Sequence, residues 1–210
     1  MIKKNWKTLV ITSVITLLPV LAGLFLWSKL PEKMPTHWNT AGQVDGWSSK
    51  PFSVFALPGI MLACQWLCAL GTAADPKKKN HSDKVLQLVL WIIPVMSVVL
   101  NGIILAIALG GNVPVEMVTP VLVGLILTII GNYLPKCKQN YTIGIKIPWT
   151  LNSEENWNRT HRFAGVLWVI CGAGIVLSGF MGQTWLLLIA FLPMTIAPVI
   201  YSYLLHRKGI

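Results

Sequence analysis

The sequence predicts an all-α integral membrane protein with six transmembrane helices and both termini in the cytoplasm. Of its 210 residues, 54% are hydrophobic and only 11% are charged, with a mean hydropathy of +0.64. A soluble domain carries about a quarter charged residues, so this composition is typical of a membrane protein. Because backbone groups in lipid need internal hydrogen bonds, the long apolar stretches are predicted to be helices.

Six apolar segments are each long enough to cross a bilayer, which takes about 17–25 residues. They are Leu9–Trp27, Phe52–Ala74, Val85–Leu109, Val115–Tyr133, Phe163–Phe180 and Trp185–Leu205. The first follows a basic start, as in a signal peptide, but its length and the absence of a cleavage signal favour an uncleaved helix. Prolines within the segments are expected to kink the helices rather than break them.

The lysines and arginines predict the orientation. Fourteen of the 17 lie on the side of the two termini, the segment after span 2 and the segment after span 4. Only Lys29, Lys33 and Lys50 lie on the other side. Cytoplasmic loops collect Lys and Arg, so the side with 14 cations is predicted to be cytoplasmic. This also explains the formal charge of +10 without a nucleic-acid partner.

Two polar intervals divide the chain into two expected domains. Residues 1–74 form a two-helix unit with an outer loop at 28–50, and residues 75–210 form a four-helix unit with a cytoplasmic loop at 132–162. The four cysteines have no metal-ligand spacing to histidines, so neither a zinc site nor a disulfide framework is expected. No cofactor is expected.

The outer loop is rich in turn-forming residues. Turns are predicted at Thr40-Ala41-Gly42 and at Asp45-Gly46, with positive φ at both glycines. The loop is either a compact extracellular cap that offers His37, Asn39 and Asp45 for recognition or ion binding, or an ordinary loop with tryptophans at the lipid headgroups. The candidate recognition residues are His37, Asn39, Gly42, Asp45, Gly46 and Trp47.

The cytoplasmic loop is dense in polar motifs. Ile143, Ile145 and Ile147 alternate with Gly144 and Lys146, which predicts a short strand or an extended interfacial segment. Asn152 with Glu155 is predicted to be a capping box that starts a helix running through Arg162 into span 5. Glu155 and Arg159 are expected to pair at i, i+4, and Trp149 and Trp157 are expected at headgroup level.

Both loops carry motifs that resemble a known family. The outer pattern LP-x-x-x-P-T-H-W-N-x-x-G-x-x-D-G-W is similar to the membrane domain at the front of SdpI-type proteins. GNYLP (131–135), IGIKIPWTL (143–151), SEENW (153–157) and THRFAG (160–165) resemble the SdpI immunity-protein family. The matching positions in the cytoplasmic loop are Asn132, Tyr133, Pro135, Gly144, Lys146, Pro148, Trp149, Thr150, Glu154, Glu155, Trp157, Thr160, His161 and Arg162.

The resemblance implies a function at the cytoplasmic membrane of a Gram-positive bacterium. It implies protection against a secreted, membrane-active killing peptide, and capture of a cytoplasmic transcriptional repressor at the membrane when the peptide is present. The partners implied are thus the peptide, the repressor and membrane lipids, with no direct nucleic-acid contact. A stripe of Glu154, Asn158 and Arg162 is the expected docking surface for the soluble partner.

Two other classes of function stay open from the residues. A membrane enzyme would use His161 with Glu154 or Glu155 near lipid headgroups, although no nucleophile motif or metal motif accompanies them. A small transporter would use polar residues at membrane depth, for which Gln65 and Asn101 are the main candidates. Recognition without catalysis needs neither, so an immunity protein that is not an enzyme is the prediction.

Overall fold

The computed structural model describes residues 2–183 and 185–210, without the side chains of Ile2 and Lys3. The helices are α1 (Ile2–Phe25), α2 (Leu57–Ala74), α3 (Asp83–Ala108), α4 (Val115–Tyr133), α5 (Pro148–Asn152), α6 (Glu154–Phe180) and α7 (Trp185–Arg207). A π-helical turn, Phe52–Ala56, leads into α2, and short 3-10 turns lie at Trp27–Lys29, Lys78–Asn80 and Leu134–Lys136. Strands β1 (Lys33–Trp38) and β2 (Val44–Ser49) form an antiparallel hairpin.

The six predicted spans are confirmed as six helices of sufficient length and hydropathy to cross a membrane. They are Lys4–Phe25, Phe52–Ala74, Asp83–Ala108, Val115–Lys136, Glu154–Phe180 and Trp185–Arg207. Pro19, Pro94, Pro120, Pro193 and Pro198 lie inside continuous helices. This multi-pass membrane protein is therefore all-α in its spans, with the hairpin as a β element that the sequence pattern did not predict.

The chain forms two compact units. Unit 1 comprises residues 1–73 and 87–115, and unit 2 comprises residues 74–86 and 116–210. This division differs from a boundary at residue 74, because most of α3 packs with α1 and α2. The Ser97 hydroxyl donates to the Thr16 carbonyl at 2.8 Å, and Gln87 donates to Asn5 Oδ1 at 3.1 Å.

Unit 1 has an apolar cluster at its hairpin end, hereafter the hairpin cluster. Its buried members are Leu30, Met34, Val54, Ile104 and Leu105, contributed by the hairpin region, the π-helical turn and α3. Met34 is wholly buried, so the hairpin is packed onto the helices rather than free in solvent. Full burial of a side chain of this size contributes about 1.5–3 kcal/mol.

A buried polar network joins α1 to α2 in unit 1. Gln65 accepts from Thr16 Oγ1 at 2.7 Å and donates to Thr12 Oγ1 at 2.6 Å, and all three residues are buried. A polar side chain in lipid is costly unless it is paired, and here each finds a partner on the facing helix. Gln65 is thus paired with α1 rather than left as an unpaired polar group within the span.

Unit 2 depends on close contact between α4 and α6. Gly165, Gly172 and Gly179 recur every seven residues and so lie on one face of α6. A Cβ placed at Gly172 would lie 2.5 Å from Thr128 Oγ1 and 2.8 Å from the Gly124 carbonyl oxygen. Small residues let helix backbones approach in a membrane, where van der Waals packing drives helix association.

We expect the hairpin and the α5–α6 junction to lie on opposite sides of the membrane, because three spans separate them. In a variant without the four native cysteines, Ser49→Cys should react with an impermeant thiol reagent on intact cells. Asn152→Cys should react only after permeabilisation. Both positions are exposed on the protein surface, so accessibility to the reagent reports the side of the membrane. Labelling of Asn152→Cys alone on intact cells would reverse the predicted orientation.

Candidate functional site

One face of the hairpin presents chemically distinct side chains. Along β2, burial alternates, so Asp45 and Trp47 are exposed while Gly46 and Ser48 are partly covered. His37 of β1 reaches across the strands, with Nδ1 2.5 Å from Asp45 Oδ1, an ion pair when the imidazole is protonated. Trp47 is 58% exposed, which is high for an indole. The structure therefore pairs His37 with Asp45, and Trp47 follows Asp45 by two residues along β2; these three exposed residues are hereafter the hairpin face.

The hairpin turn is held by Asn39. Its Oδ1 accepts from the backbone N–H of Ala41 and of Gln43, both at 3.0 Å, which positions the turn at Gly42. Gly42 has φ +74, confirming the prediction that this turn needs a glycine. Asn39 thus supports the turn, and the carboxamide oxygen is occupied by the backbone.

Gly46 lies in β2, opposite His37, so the prediction of a second tight turn with positive φ at Asp45-Gly46 was wrong. The pairing of the two strands explains the glycine instead. A Cβ at position 46 would lie 2.6 Å from His37 Cβ, closer than van der Waals contact allows. The register irregularity between Pro35, His37 and Trp38 accompanies this close approach.

The base of the hairpin is fixed by Lys50. Its Nζ lies 2.9 Å from Glu32 Oε1, donates to the Trp27 carbonyl at 3.4 Å and sits 5.1 Å from the Trp27 ring centroid. Its side chain is only 8% exposed, so the ion pair is partly shielded from solvent. The hairpin is therefore an ordered projection, anchored at its base and packed by Met34.

Within the polar interval 132–162 of unit 2, residues 137–147 are ordered by buried contacts rather than by regular structure. Residues 143 and 144 lie in a bend and residues 145–147 have no regular secondary structure, so the predicted short strand was wrong. Pro148 begins α5, and Asn152 ends it. The N-cap of α6 is Ser153, whose hydroxyl accepts from the Asn156 N–H at 3.2 Å. The predicted Asn152–Glu155 capping box was wrong, since the short helix α5 already contains Asn152.

The predicted continuation of the helix is confirmed, since α6 runs from Glu154 through Arg162 into the span. Glu155 and Arg159 form the predicted i, i+4 pair, with Oε1 and Nη2 2.6 Å apart. Both are about half exposed, and a surface pair of this kind contributes about 0.3–0.5 kcal/mol.

Trp157 is wholly buried, so its predicted place at the lipid headgroups was wrong. Its indole N–H donates to the Cys137 carbonyl at 2.7 Å, and its ring stacks on His161 with centroids 4.0 Å apart. It packs with Val85, Cys137 and half-buried residues of the interval. Trp157 therefore forms the core of the interval. Trp149 is half-buried and contacts Tyr203, with ring centroids 5.1 Å apart.

His161 connects the interval to α6. Its Nδ1 lies 2.8 Å from the Trp157 carbonyl oxygen, and its Nε2 accepts the Ile145 N–H at 2.9 Å. These partners select the neutral tautomer with the proton on Nδ1. Gly144, with φ +121, passes so close that a Cβ there would lie 2.5 Å from His161 Nε2.

The segment after α2 meets the interval through Asp75. Its carboxylate accepts from the Lys77 and Tyr141 N–H groups at 2.7 and 2.9 Å, and from the Thr142 hydroxyl at 2.8 Å. Burial would raise the pKa of Asp75, but these hydrogen bonds and His81 (Nε2 3.3 Å away) bring the net pKa below its ordinary value. The stabilisation is therefore present at neutral pH and is lost as pH falls through the folded-state pKa.

Other motif residues hold backbone groups. The Thr150 hydroxyl donates to the Ile145 carbonyl at 2.7 Å and accepts the Ile147 N–H at 3.1 Å. Thr160 donates to Asn156 Oδ1 at 3.1 Å, and Asn156 in turn donates to the Ser202 carbonyl of α7 at 3.0 Å.

Pro135 packs against Gly165 of α6, where a Cβ would lie 2.7 Å from Pro135 Cγ. Tyr133 is half-buried beneath Lys136, whose Nζ lies 4.6 Å from its ring centroid.

The structure separates the motif into a buried frame and an exposed surface. Glu154, Asn158 and Arg162 are exposed along α6, as are Asn132, Lys146 and Pro148 elsewhere in the interval.

Four residues that hold the interval together were not predicted from the sequence: Asp75, His81, Gln139 and Asn156. Gln139 donates to the Thr150 and Leu151 carbonyls at 2.8 and 2.9 Å. The signal available for Asp75 was its position as a lone carboxylate between a span and a run of lysines.

Fold and sites together define a class of protein: a multi-pass cell membrane protein with an anchored hairpin and an ordered polar interval. The part of the chain that the structure describes contains no group of three or more His, Cys, Asp or Glu side chains that could hold a metal ion.

The comparisons with known proteins identify the family. The SdpI/YfhL protein family matches residues 136–202, and a domain of unknown function (DUF1648) matches residues 14–62. The chain is 30% identical over 213 residues to the immunity protein SdpI of Bacillus subtilis (strain 168), covering 98% of this chain and 97% of the relative. No solved structure matches. The chain belongs to the SdpI family of membrane immunity proteins.

Proposed function

We propose that this protein protects the membrane of the cell that carries it against a secreted, membrane-active peptide, and that the hairpin face receives the peptide. The observation that carries the proposal is the similarity to an immunity protein over 98% of the chain. Similarity of that extent includes both the hairpin and the interval.

The form of the hairpin supports a role in recognition. Its exposed side chains, His37, Asp45 and Trp47, are an imidazole, a carboxylate and an indole on a strand pair that is anchored by Lys50 and Met34. An exposed aromatic residue on a rigid support is a favourable contact, because little conformational entropy is lost on binding. Its neighbours supply charge and hydrogen bonds that a peptide can satisfy.

The contacts of the interval support a function without catalysis. Both ring nitrogens of His161 are engaged by backbone groups, so it is not free to exchange a proton with a substrate. Burial raises the pKa of Cys137 to about 11, which keeps its thiol protonated and unreactive at neutral pH. Glu155 is paired with Arg159 at the surface. We therefore infer that the protein acts by binding rather than by catalysis.

The exposed surface of α6 supports a second role for the interval. Glu154, Asn158 and Arg162 lie at i, i+4 and i+8 and are all exposed, while the residues behind them are buried. A soluble partner could dock on this stripe without disturbing the core. Capture of a cytoplasmic repressor there remains a prediction of the family resemblance.

Removal of the Trp47 or Asp45 side chain tests the proposal. We expect Trp47→Ala to lower the tolerated dose of peptide about tenfold, as for an aromatic side chain at the centre of an interface, and Asp45→Ala to lower it less. The measurement is survival of a Bacillus subtilis strain 168 derivative that lacks its own immunity protein and expresses each variant, across a dilution series of culture supernatant from its parent.

Ser48→Ala is the matched control. Ser48 lies on the opposite face of β2, where its hydroxyl pairs with Thr36 Oγ1 at 3.0 Å, so this variant tests general loosening of the hairpin. It should protect like the wild type. Full protection by Trp47→Ala and Asp45→Ala would show that the peptide is not received on this face, and no protection by the abundant wild-type chain would contradict the function itself.

A further inference from the structure

Two lysine-rich segments that lie far apart in the chain meet in unit 2. One is the connection between α2 and α3, and the other is the part of the polar interval at residues 137–147. Asp75 joins them, because its carboxylate accepts from the Tyr141 N–H at 2.9 Å and from the Thr142 hydroxyl at 2.8 Å. The first of these contacts spans 66 residues of sequence, so only the fold brings the lysines of the two segments together.

Two of the lysines contact the same short stretch, residues 139–142. Lys77 Nζ donates to Gln139 Oε1 and lies 5.4 Å from the centroid of the Tyr141 ring. Lys146 Nζ donates to the Thr142 carbonyl at 3.1 Å. One lysine from each segment is therefore held against this stretch.

The other lysines are placed by their neighbours in the chain. Lys78 and Lys79 belong to the 3-10 turn that ends at Asn80, whose amide donates to the Gln139 carbonyl at 2.6 Å. Lys138 immediately precedes Gln139, and all three of these lysines are exposed. The five lysines around residues 139–142 are hereafter the lysine patch: Lys77, Lys78, Lys79, Lys138 and Lys146.

The lysine patch has little negative charge to compensate it. Residues 76–82 and 134–152 contain no Asp or Glu, and the next carboxylate after the first of these ranges is Asp83 at the start of α3. Asp75 is buried and its oxygens accept hydrogen bonds within the protein. Like charges repel within a Debye length, about 8–10 Å at physiological ionic strength, so an anionic partner on this surface would remove an unfavourable interaction.

The lysine patch also lies beside the ends of two membrane spans. Lys77 follows the span Phe52–Ala74 by three residues, and Lys138 follows the span Val115–Lys136 by two. Three residues cover at most about 10 Å, which keeps these lysines near the lipid headgroups. Tyr141, whose ring lies beneath Lys77, is 47% exposed, and tyrosine is enriched at membrane–water interfaces. This position favours a lipid headgroup over a soluble polyanion.

We propose that the lysine patch binds the phosphate groups of anionic phospholipids in the leaflet beside the polar interval. The exposed ammonium groups of Lys78, Lys79 and Lys138 pair with the phosphates, while Lys77 and Lys146 hold residues 139–142 in place. Each lysine near an anionic lipid surface strengthens binding about fivefold. This site is independent of the secreted peptide and so goes beyond the proposed function: it fixes the polar interval against the membrane.

The test is the reactivity of each lysine in nanodiscs that contain the whole protein. The discs hold phosphatidylcholine alone or phosphatidylcholine with phosphatidylglycerol, and an amine-reactive reagent is followed by mass spectrometry. Lys78, Lys79 and Lys138 should react about fivefold more slowly in the anionic discs. Salt at about 1 M, where the Debye length is about 3 Å, should remove the difference. Lys29 and Lys33, which are exposed but lie outside the patch, should change less than about twofold.

A double variant tests whether the lysines act as one surface. In anionic discs, Lys78→Gln with Lys79→Gln should return Lys138 to the rate that it has in neutral discs. Lys29→Gln with Lys33→Gln removes the same charge elsewhere and should leave Lys138 protected. An unchanged Lys138 rate in neutral discs checks that both variants keep the fold.

Two results would overturn the proposal. Equal slowing of Lys29, Lys33 and the lysine patch would show a general effect of membrane charge rather than a site. Slowing of the patch by polyglutamate or transfer RNA in neutral discs, without slowing by phosphatidylglycerol, would assign the surface to a soluble polyanion instead.

Discussion

Gly172→Leu should abolish accumulation of folded protein, while Gly174→Leu, two residues further along α6, should leave it unchanged. A Cβ at Gly172 meets Thr128 Oγ1 at 2.5 Å and the backbone of Gly124 and Thr128 at 2.8 Å, and none of these backbone atoms can move without separating α4 from α6. Overpacking of this kind costs about 1–3 kcal/mol or more. For Gly172→Ala, we expect the melting temperature in detergent to fall by about 5–10 °C.

The control at position 174 shares the helix, the residue type and the membrane depth. A Cβ there meets nothing within 4 Å, and leucine has a better helix propensity than glycine. The comparison therefore isolates contact with α4 from any effect of glycine on the helix itself. Equal melting temperatures for Gly172→Ala and Gly174→Ala would show that α4 and α6 do not touch at this level.

Gly144→Ala should unfold the polar interval. The residue has φ +121, a conformation that costs a non-glycine residue about 1–3 kcal/mol. Its Cβ would also lie 2.5 Å from His161 Nε2, which accepts the Ile145 N–H, and loss of that bond leaves a partly buried donor unpaired at a cost of about 1 kcal/mol or more. Trypsin should then cleave at the exposed residues Lys138 and Lys146 at least about tenfold faster, in proportion to the population of the open form.

Gly182→Ala separates the two contributions. Gly182 also has positive φ, +66, but a Cβ there meets nothing within 4 Å. In this variant only backbone strain should lower the stability, and the rate of cleavage at Lys138 and Lys146 should stay unchanged. If Gly144→Ala is as resistant to trypsin as the wild type, the interval does not depend on the contact between Gly144 and His161.

The spans could be predicted from the sequence because the length and hydropathy of a segment are local properties. Leu9–Trp27 and Val115–Tyr133, for example, are too apolar for water and long enough for a bilayer, whatever their neighbours are. The turn at Gly42 and the pairing of Glu155 with Arg159 were also predictable, because they involve residues a few positions apart. The motifs of both loops, read as a resemblance, identified the family.

The candidate site was predicted by position but not by role. Trp157 was predicted to lie at the lipid headgroups because the sequence shows an indole beside charged residues. The sequence does not show that Cys137, Ile143 and Val85 pack around this indole. Asp75 was missed because its partners, Tyr141 and Thr142, lie more than 60 residues away. Gly46 was assigned to a turn, although the contact that requires a glycine is with His37 on the paired strand.

The sequence by itself determined the membrane class, the six spans, the family and the two polar regions, because each depends on composition or on neighbouring residues. Only the tertiary structure decided which motif residues are exposed and which are buried in the core of the interval. Glu154 and Arg162 are exposed while His161 and Trp157 are buried, a division set by what α6 packs against.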